Sequence, residues 1–75
     1  MKEGNVVMNN LRDYRIKKGL TQRELALKVG LSEQAYQRYE YGLRKPNVVT
    51  AINIAKVLGV GGDLTKLWEG SPTIT

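Results

Sequence analysis

The stretch at residues 21–42, TQRELALKVGLSEQAYQRYEYG, decides the fold because it predicts two short helices joined by one tight turn. Thr21 followed three residues later by Glu24 is a capping-box pattern, which marks the start of a helix. The apolar stripe of this helix consists of Leu25, Ala26 and Val29. Gly30 predicts its end, because glycine adopts the left-handed conformation at low cost.

A second helix follows the turn and begins after Ser32, a favourable N-cap residue. Its inward side chains are predicted to be Ala35, Tyr36 and Tyr39, with the two tyrosine hydroxyls reaching the surface. Its outward or flanking side chains are predicted to be Glu33, Gln34, Gln37, Arg38 and Tyr41. The exposed side of this helix therefore carries almost only hydrogen-bonding groups.

Helix, three-residue turn and second helix is the pattern of a helix-turn-helix, whose second helix enters the DNA major groove by its N-terminal end. The pattern needs a small residue where the two helices approach each other, and Ala26 is at that position. Gly30 occupies the turn. This segment therefore predicts DNA binding.

Three further helices are expected around this pair. Asn9 or Asn10 can cap a first helix that runs to about Lys18, Asn47 caps a fourth, and Asp63 caps a short fifth. The apolar face of the fourth is predicted to contain Val48, Ala51, Ile52, Ala55 and Leu58, with Ile54 beside it. The predicted fold class is all-α, a compact bundle of five short helices.

The predicted domain covers residues 9–69, between a disordered extension at 1–8 and a flexible tail at 70–75. Residues 1–7 lack helical periodicity, and Met8 directly precedes the first helical pattern. We expect translation to begin at Met8.

Positive charge is concentrated in and beside residues 21–42. The chain has 75 residues and a net charge of +5, and residues 12–45 alone carry nine basic and four acidic side chains. Basic residues could simply solvate helix surfaces, but their coincidence with the motif favours a polyanion partner.

The composition argues against several other classes of protein. The chain contains no cysteine and no histidine, so disulfides, thiolate metal sites and the commonest general base are excluded. Its carboxylates are scattered singly, so we expect no enzyme activity, no metal site and no cofactor. No apolar run is long enough for a membrane span, and we expect a cytoplasmic protein.

The chain resembles the Cro and phage-repressor type of helix-turn-helix domain, also called the xenobiotic-response-element family. The residues that carry this resemblance are Leu11, Tyr14, Arg15, Gly19, Leu20, Thr21, Gln22, Glu24, Leu25, Ala26, Gly30, Ser32, Glu40, Gly42, Pro46, Ile54, Ala55, Leu58 and Val60. They cover most of the chain. The resemblance implies a lambda-repressor-like fold and a double-stranded DNA partner.

The resemblance also implies individual roles. The candidates for contacts with base edges are Glu33, Gln34, Gln37 and Arg38; Gln34 suits adenine, Glu33 suits cytosine, and Arg38 suits guanine or a phosphate. The candidates for phosphate contacts are Gln22, Arg23, Tyr41, Arg44 and Lys45. Arg12 is a weaker candidate. Arg15 and Glu40 are expected to form a partly buried ion pair that fixes the angle between their helices.

The expected function is a sequence-specific transcriptional regulator, a repressor that acts as a homodimer on a two-fold operator. Leu64, Leu67 and Trp68 are candidates for the dimer surface, although Trp68 fits core packing equally well. The alternative is an antitoxin-type or other protein-interaction module with a regulatory protein partner. The polar outer face of residues 33–41 favours DNA, because an interaction helix is expected to expose apolar anchors.

Overall fold

The computed structural model describes residues 9–61 and 63–68, which form four α-helices and one 3-10 turn. The helices are α1 (Leu11–Lys17), α2 (Gln22–Lys28), α3 (Glu33–Glu40) and α4 (Val48–Leu58). The described residues contain no strand, so the all-α prediction is confirmed for them. The predicted extension at 1–8 and tail at 70–75 lie outside the described residues, as does Glu69.

The prediction of five helices is wrong for the last element, which is a single 3-10 turn at Leu64–Lys66. Asp63 accepts a hydrogen bond from the Thr65 backbone and so caps this turn as predicted. The chain then leaves helical geometry, because the Leu67 carbonyl accepts a hydrogen bond from Asn10 N–H at 2.8 Å and Trp68 pairs with Asn9 in an antiparallel bridge. This contact between the two ends of the domain stops the helix.

The predicted helix caps are present. Thr21 and Glu24 make both hydrogen bonds of a capping box, at 3.0 and 2.8 Å. Ser32 caps α3 and Asn47 caps α4. At α1 the N-cap position is Asn10, whose side chain makes no cap hydrogen bond, and the side chain of the preceding Asn9 accepts from Leu11 N–H instead.

The turn between α2 and α3 depends on the backbone of Gly30. Its φ is +76°, in the left-handed region that side-chain-bearing residues rarely adopt. No atom lies within 4 Å of the position that a Cβ would occupy there, so glycine is needed for its conformation and not for space. The Leu31 N–H then donates to the Ala26 carbonyl, and the chain continues from Leu31 into α3.

The core lies where α2, α3 and α4 meet and includes the chain's only tryptophan. Its buried hydrophobic residues are Leu11, Leu25, Ala26, Tyr36, Ala51, Ile54, Ala55, Leu58, Leu67 and Trp68. The predicted face of α4 is wrong at two positions, because Val48 and Ile52 are 44% and 37% exposed while Ile54 is fully buried. Around an ideal helix, Ile54 lies about 60° from Ala51 and Ile52 lies about 100° from it in the opposite direction. A small rotation of α4 therefore decides which of the two isoleucines is buried.

None of the helices described is long and apolar enough to cross a membrane. The same residues contain no cluster of acidic side chains that could hold a metal ion.

Candidate nucleic-acid-binding surface

A buried carboxylate joins the first, second and third helices. Glu40 lies at the end of α3 with its side chain only 3% exposed. Arg15 of α1 donates to it twice, from Nε to Oε1 at 2.8 Å and from Nη2 to Oε2 at 3.1 Å. The third donor group of Arg15 reaches the Leu20 carbonyl at 2.8 Å, at the start of the connection to α2. The predicted ion pair is therefore present, and its bidentate geometry fixes α1 against α3.

The hydroxyl of Tyr36 takes part in this network, which the sequence analysis missed. We expected the hydroxyl at the surface, but Tyr36 is fully buried and donates to Glu40 Oε1 at 2.7 Å. The spacing of four residues within one helix places the two side chains on the same face, and that spacing was the available signal.

These contacts set the charge states of the network. Burial alone would raise the pKa of Glu40, but hydrogen bonds from Arg15, Tyr36 and Gln22 outweigh it and lower that pKa. The hydrogen bond to Glu40 raises the pKa of Arg15 against the opposing effect of burial. Burial, followed by the hydrogen bond to Glu40, raises the pKa of Tyr36. At neutral pH the network therefore holds a carboxylate, a guanidinium and a neutral phenol.

Gln22 connects this buried network to the surface. Its Nε2 donates to Glu40 Oε2 at 3.0 Å and to the Tyr41 hydroxyl at 3.2 Å. Its Oε1 accepts from Gln37 Nε2 at 3.0 Å. Because a carboxylate can only accept, Glu40 fixes which end of the Gln22 amide faces inward, and Gln22 in turn fixes the Gln37 amide. A phosphate contact by the Gln22 side chain would have to replace one of these hydrogen bonds.

The outer face of α3 presents the predicted base-contacting residues to solvent. Glu33, Gln34 and Arg38 are exposed, and Gln37 is half-buried. Gln37 also reaches Glu33 Oε2, at 3.5 Å. The donor group of Gln37 is thus engaged within the protein, and its carbonyl oxygen is the end that can accept from a partner.

The C-terminal end of α3 is held by the first residue that the structure describes. Asn9 Nδ2 donates to the carbonyl of Tyr39 at 3.0 Å and to that of Glu40 at 3.3 Å. These carbonyls lie in the last turn of α3, where the Tyr39 carbonyl also accepts from Gly42 N–H. The residue before the start of α1 and the end of α3 are therefore joined by side chain to backbone hydrogen bonds, in addition to the ion pair between the two helices.

Exposed basic residues come from the elements before and after α3 in the chain. Arg23 is exposed in the first turn of α2, and Arg44 and Lys45 are exposed in the loop after α3. Tyr41, at the start of that loop, is 54% exposed. The predicted phosphate-contacting residues Arg23, Tyr41, Arg44 and Lys45 are thus all exposed.

Arg12 belongs with this surface more closely than the sequence suggested. An open groove of about 430 Å³ is lined by Arg12, Gln22, Glu40 and Tyr41. Arg12 is exposed, in the first turn of α1. Its place three residues before Arg15, on the same side of the helix, was the only signal in the sequence.

The predicted dimer surface is wrong for two of its three residues. Leu67 and Trp68 are 0% and 1% exposed, so they form part of the core, which was the alternative interpretation of Trp68. Leu64 is half-buried against the same core. The contact of this segment with Asn9 and Asn10 turns these side chains inward.

The sequence pattern of the helix-turn-helix family matches residues 11–64, which span α1 to the 3-10 turn. The chain belongs to the helix-turn-helix family. The resemblance found from individual residues is thereby confirmed.

Relatives within the helix-turn-helix family include several regulators. The chain is 44% identical over 54 residues to an uncharacterized HTH-type transcriptional regulator, YqaE, of Bacillus subtilis, covering 72% of this chain and 47% of that protein. It is 40% identical over 55 residues to the uncharacterized regulator y4dJ of Sinorhizobium fredii, covering 73% and 71%. It is 35% identical over 52 residues to the cryptic phage CTXphi transcriptional repressor RstR of Vibrio cholerae, covering 69% and 47%. The matched segment spans about half the length of YqaE and RstR.

Proposed function

We propose that this helix-turn-helix protein is a sequence-specific double-stranded DNA-binding transcriptional regulator that inserts α3 into the major groove. The observation that carries the proposal is the exposure of Glu33, Gln34 and Arg38 on a helix whose far end is fixed by a buried ion pair. A fixed helix presents its polar groups to base edges at low entropic cost. Relatives named as transcriptional regulators support the same function.

Each outward side chain suits a particular base edge. Gln34 can pair with N6 and N7 of adenine, Glu33 can accept from N4 of cytosine, and Arg38 can donate to guanine or to a phosphate. Gln37 donates to Gln22 inside the protein, so its carbonyl oxygen favours a base amino group. Arg23, Arg44 and Lys45 would contact the backbone on either side and contribute affinity without sequence preference.

We assign the protein a repressor role and a homodimeric state on a two-fold operator. RstR is named as a transcriptional repressor, which supports the first part. The second part needs a surface other than the buried Leu67 and Trp68. Leu43 in the basic loop and Val48, Val49 and Ile52, at helical spacing on α4, have exposures of 66%, 44%, 68% and 37%, and we propose that they form one apolar patch.

We infer that a second copy of the chain, and not an unrelated protein, covers this patch. The patch flanks Arg44 and Lys45, so a molecule that covers it while α3 is in the groove must lie beside the same duplex. A second copy does so with its own α3 directed at a half-site about one helical turn away. Sedimentation of the Val49→Asp variant should show monomer under conditions where the wild type is dimeric; a monomeric wild type at DNA-binding concentrations would contradict the dimer.

The experiment that tests the function is selection of binding sites from random duplex DNA, followed by affinity measurements at 50 and 200 mM salt. The three cations Arg23, Arg44 and Lys45 predict a loss of affinity over this range of about 40-fold for one protomer and about 1,800-fold for a dimer. An apolar protein–protein contact, the basis of the antitoxin-type alternative, would change little with salt. Failure to enrich any sequence would overturn the proposal.

A further inference from the structure

We propose that Arg12 and Tyr41 form a binding site for one phosphodiester of the DNA backbone, in the groove between α1 and the end of α3. The proposal rests on the DNA-binding function proposed above. It adds Arg12, which the sequence pattern left as a weak candidate, and gives Tyr41 a defined chemical role.

The groove has a fixed shape because its two walls are joined by direct contacts. Arg12 comes from α1 and Tyr41 follows α3, and together with Gln22 and Glu40 they line a space of about 430 Å³. Arg15 ties the two helices together through Glu40, and Asn9 holds the last carbonyls of α3. A ligand in the groove therefore meets side chains on backbones that are already positioned.

The electrostatics of the groove favour an anion. Glu40 lines it, but its carboxylate accepts from Arg15, Tyr36 and Gln22, and the Arg15 guanidinium lies 2.8 Å away. Within residues 9–61 and 63–68, the only side-chain ion pair is the one between Arg15 and Glu40. The charge of Arg12 is therefore uncompensated by any close acidic partner in that part of the chain. Its planar guanidinium suits two oxygens of one phosphate.

Tyr41 supplies a donor of known direction. Its hydroxyl oxygen accepts from Gln22 Nε2 at 3.2 Å, and its proton has no acceptor among the described residues. A phosphodiester offers only acceptors at its two non-bridging oxygens. The Tyr41 hydroxyl can thus donate to the phosphate while Gln22 keeps its internal hydrogen bonds. Gln22 then contributes to phosphate binding indirectly, by orienting the Tyr41 hydroxyl.

The position of the groove favours a phosphate of DNA over a free anion. Tyr41 begins the loop that carries Arg44 and Lys45, two exposed cations. A DNA strand that passes this loop brings successive phosphates along the same side of the protein. A single free phosphate would engage Arg12 and Tyr41 but gain nothing from the loop.

The test compares the wild type with Arg12→Ala, Tyr41→Phe and the control Lys66→Ala on the selected DNA site. Lys66 is an exposed cation in the 3-10 turn that does not line the groove and lies outside the proposed apolar patch. Between 50 and 200 mM salt, the fold-loss of affinity should be about 3.5 times smaller for Arg12→Ala than for the wild type per bound protomer, and so about 12 times smaller for a dimer, because each protomer loses one counterion-releasing contact. Lys66→Ala should keep the wild-type salt dependence. Tyr41→Phe should weaken binding but keep the same salt dependence.

Single methylphosphonate replacements along both strands then locate the contact. One neutral linkage should weaken binding of the wild type and leave Arg12→Ala unaffected. Equal salt dependence for the Arg12 and Lys66 variants, or equal sensitivity of wild type and Arg12→Ala at every linkage, would overturn the site while leaving DNA binding intact. Competition by inorganic phosphate at constant ionic strength would overturn its assignment to the backbone. A wild type that binds no DNA would overturn both proposals.

Discussion

Replacing Glu40 with alanine removes the acceptor of four hydrogen bonds that join three helices. Arg15 would keep only its bond to the Leu20 carbonyl, and its side chain is 11% exposed, so its charge would be stranded with little access to water. Tyr36 would also lose the acceptor of its buried hydroxyl. The substitution thus combines an unpaired charge with an unsatisfied donor.

The expected cost is large compared with the stability of so small a domain. Breaking a buried ion pair by removing one partner costs about 3–5 kcal/mol. A domain of about 60 residues has a total unfolding free energy of only about 3–9 kcal/mol. With a shift of about 4–8 °C per kcal/mol at this size, the melting temperature should fall by about 12–40 °C.

Thermal unfolding followed by circular dichroism measures this effect. The matched control is Glu33→Ala, which removes an exposed carboxylate from the same helix and should change the unfolding free energy by less than about 0.5 kcal/mol. The double variant Arg15→Met with Glu40→Met should lose less than the two single variants combined, because it leaves no unpaired charge. A Glu40→Ala protein that melts within about 4 °C of the wild type would refute the reasoning.

Three further predictions concern the same scaffold. Folding lowers the pKa of Glu40, so the stabilisation by the ionised Glu40 is present above the ordinary pKa of 4.5 and is lost as pH falls through the folded-state pKa. The melting temperatures of the wild type and of Glu40→Gln should therefore converge towards acid pH. A difference that stays constant with pH would contradict the ionised pair. Tyr36→Phe should cost about 1.5–3 kcal/mol in urea unfolding, whereas Tyr41→Phe, at an exposed position, should cost far less; equal costs would show that the Tyr36 bond does not contribute. Gly30→Ala should cost about 1–2 kcal/mol through its positive φ alone, with an unchanged m-value, and a neutral effect would place the turn in another conformation.

The helices and their caps were predictable because their signals are local. Thr21 with Glu24, Ser32 and Asn47 each act within one turn, and each caps the predicted helix. The exposed face of α4 and the length of the last element depend on distant contacts. A small rotation of α4 decides whether Ile52 or Ile54 is buried in the core. The helix expected after Asp63 is shortened because Trp68 pairs with Asn9.

The candidate site shows the same division. The pair of Arg15 and Glu40 followed from the resemblance, and the exposure of Gln34 and Arg38 followed from helical periodicity. The role of Gln22 as a link between Glu40 and Gln37 could not be predicted, because it depends on how three side chains converge from two helices. Convergence of that kind is set by the helix packing angle, which a single sequence does not specify.

The most direct test of the central claim is the specificity of the variant Gln34→Ala with Arg38→Ala. Both side chains are exposed on α3, so the fold should be unaffected, and Lys66→Ala, at an exposed position of the 3-10 turn, is the control. The measured quantity is the ratio of affinities for the selected site and a scrambled duplex. Two lost base contacts predict a fall in this ratio of at least about 30-fold, with no change in the control. An unchanged ratio would contradict the claim that α3 contacts the bases.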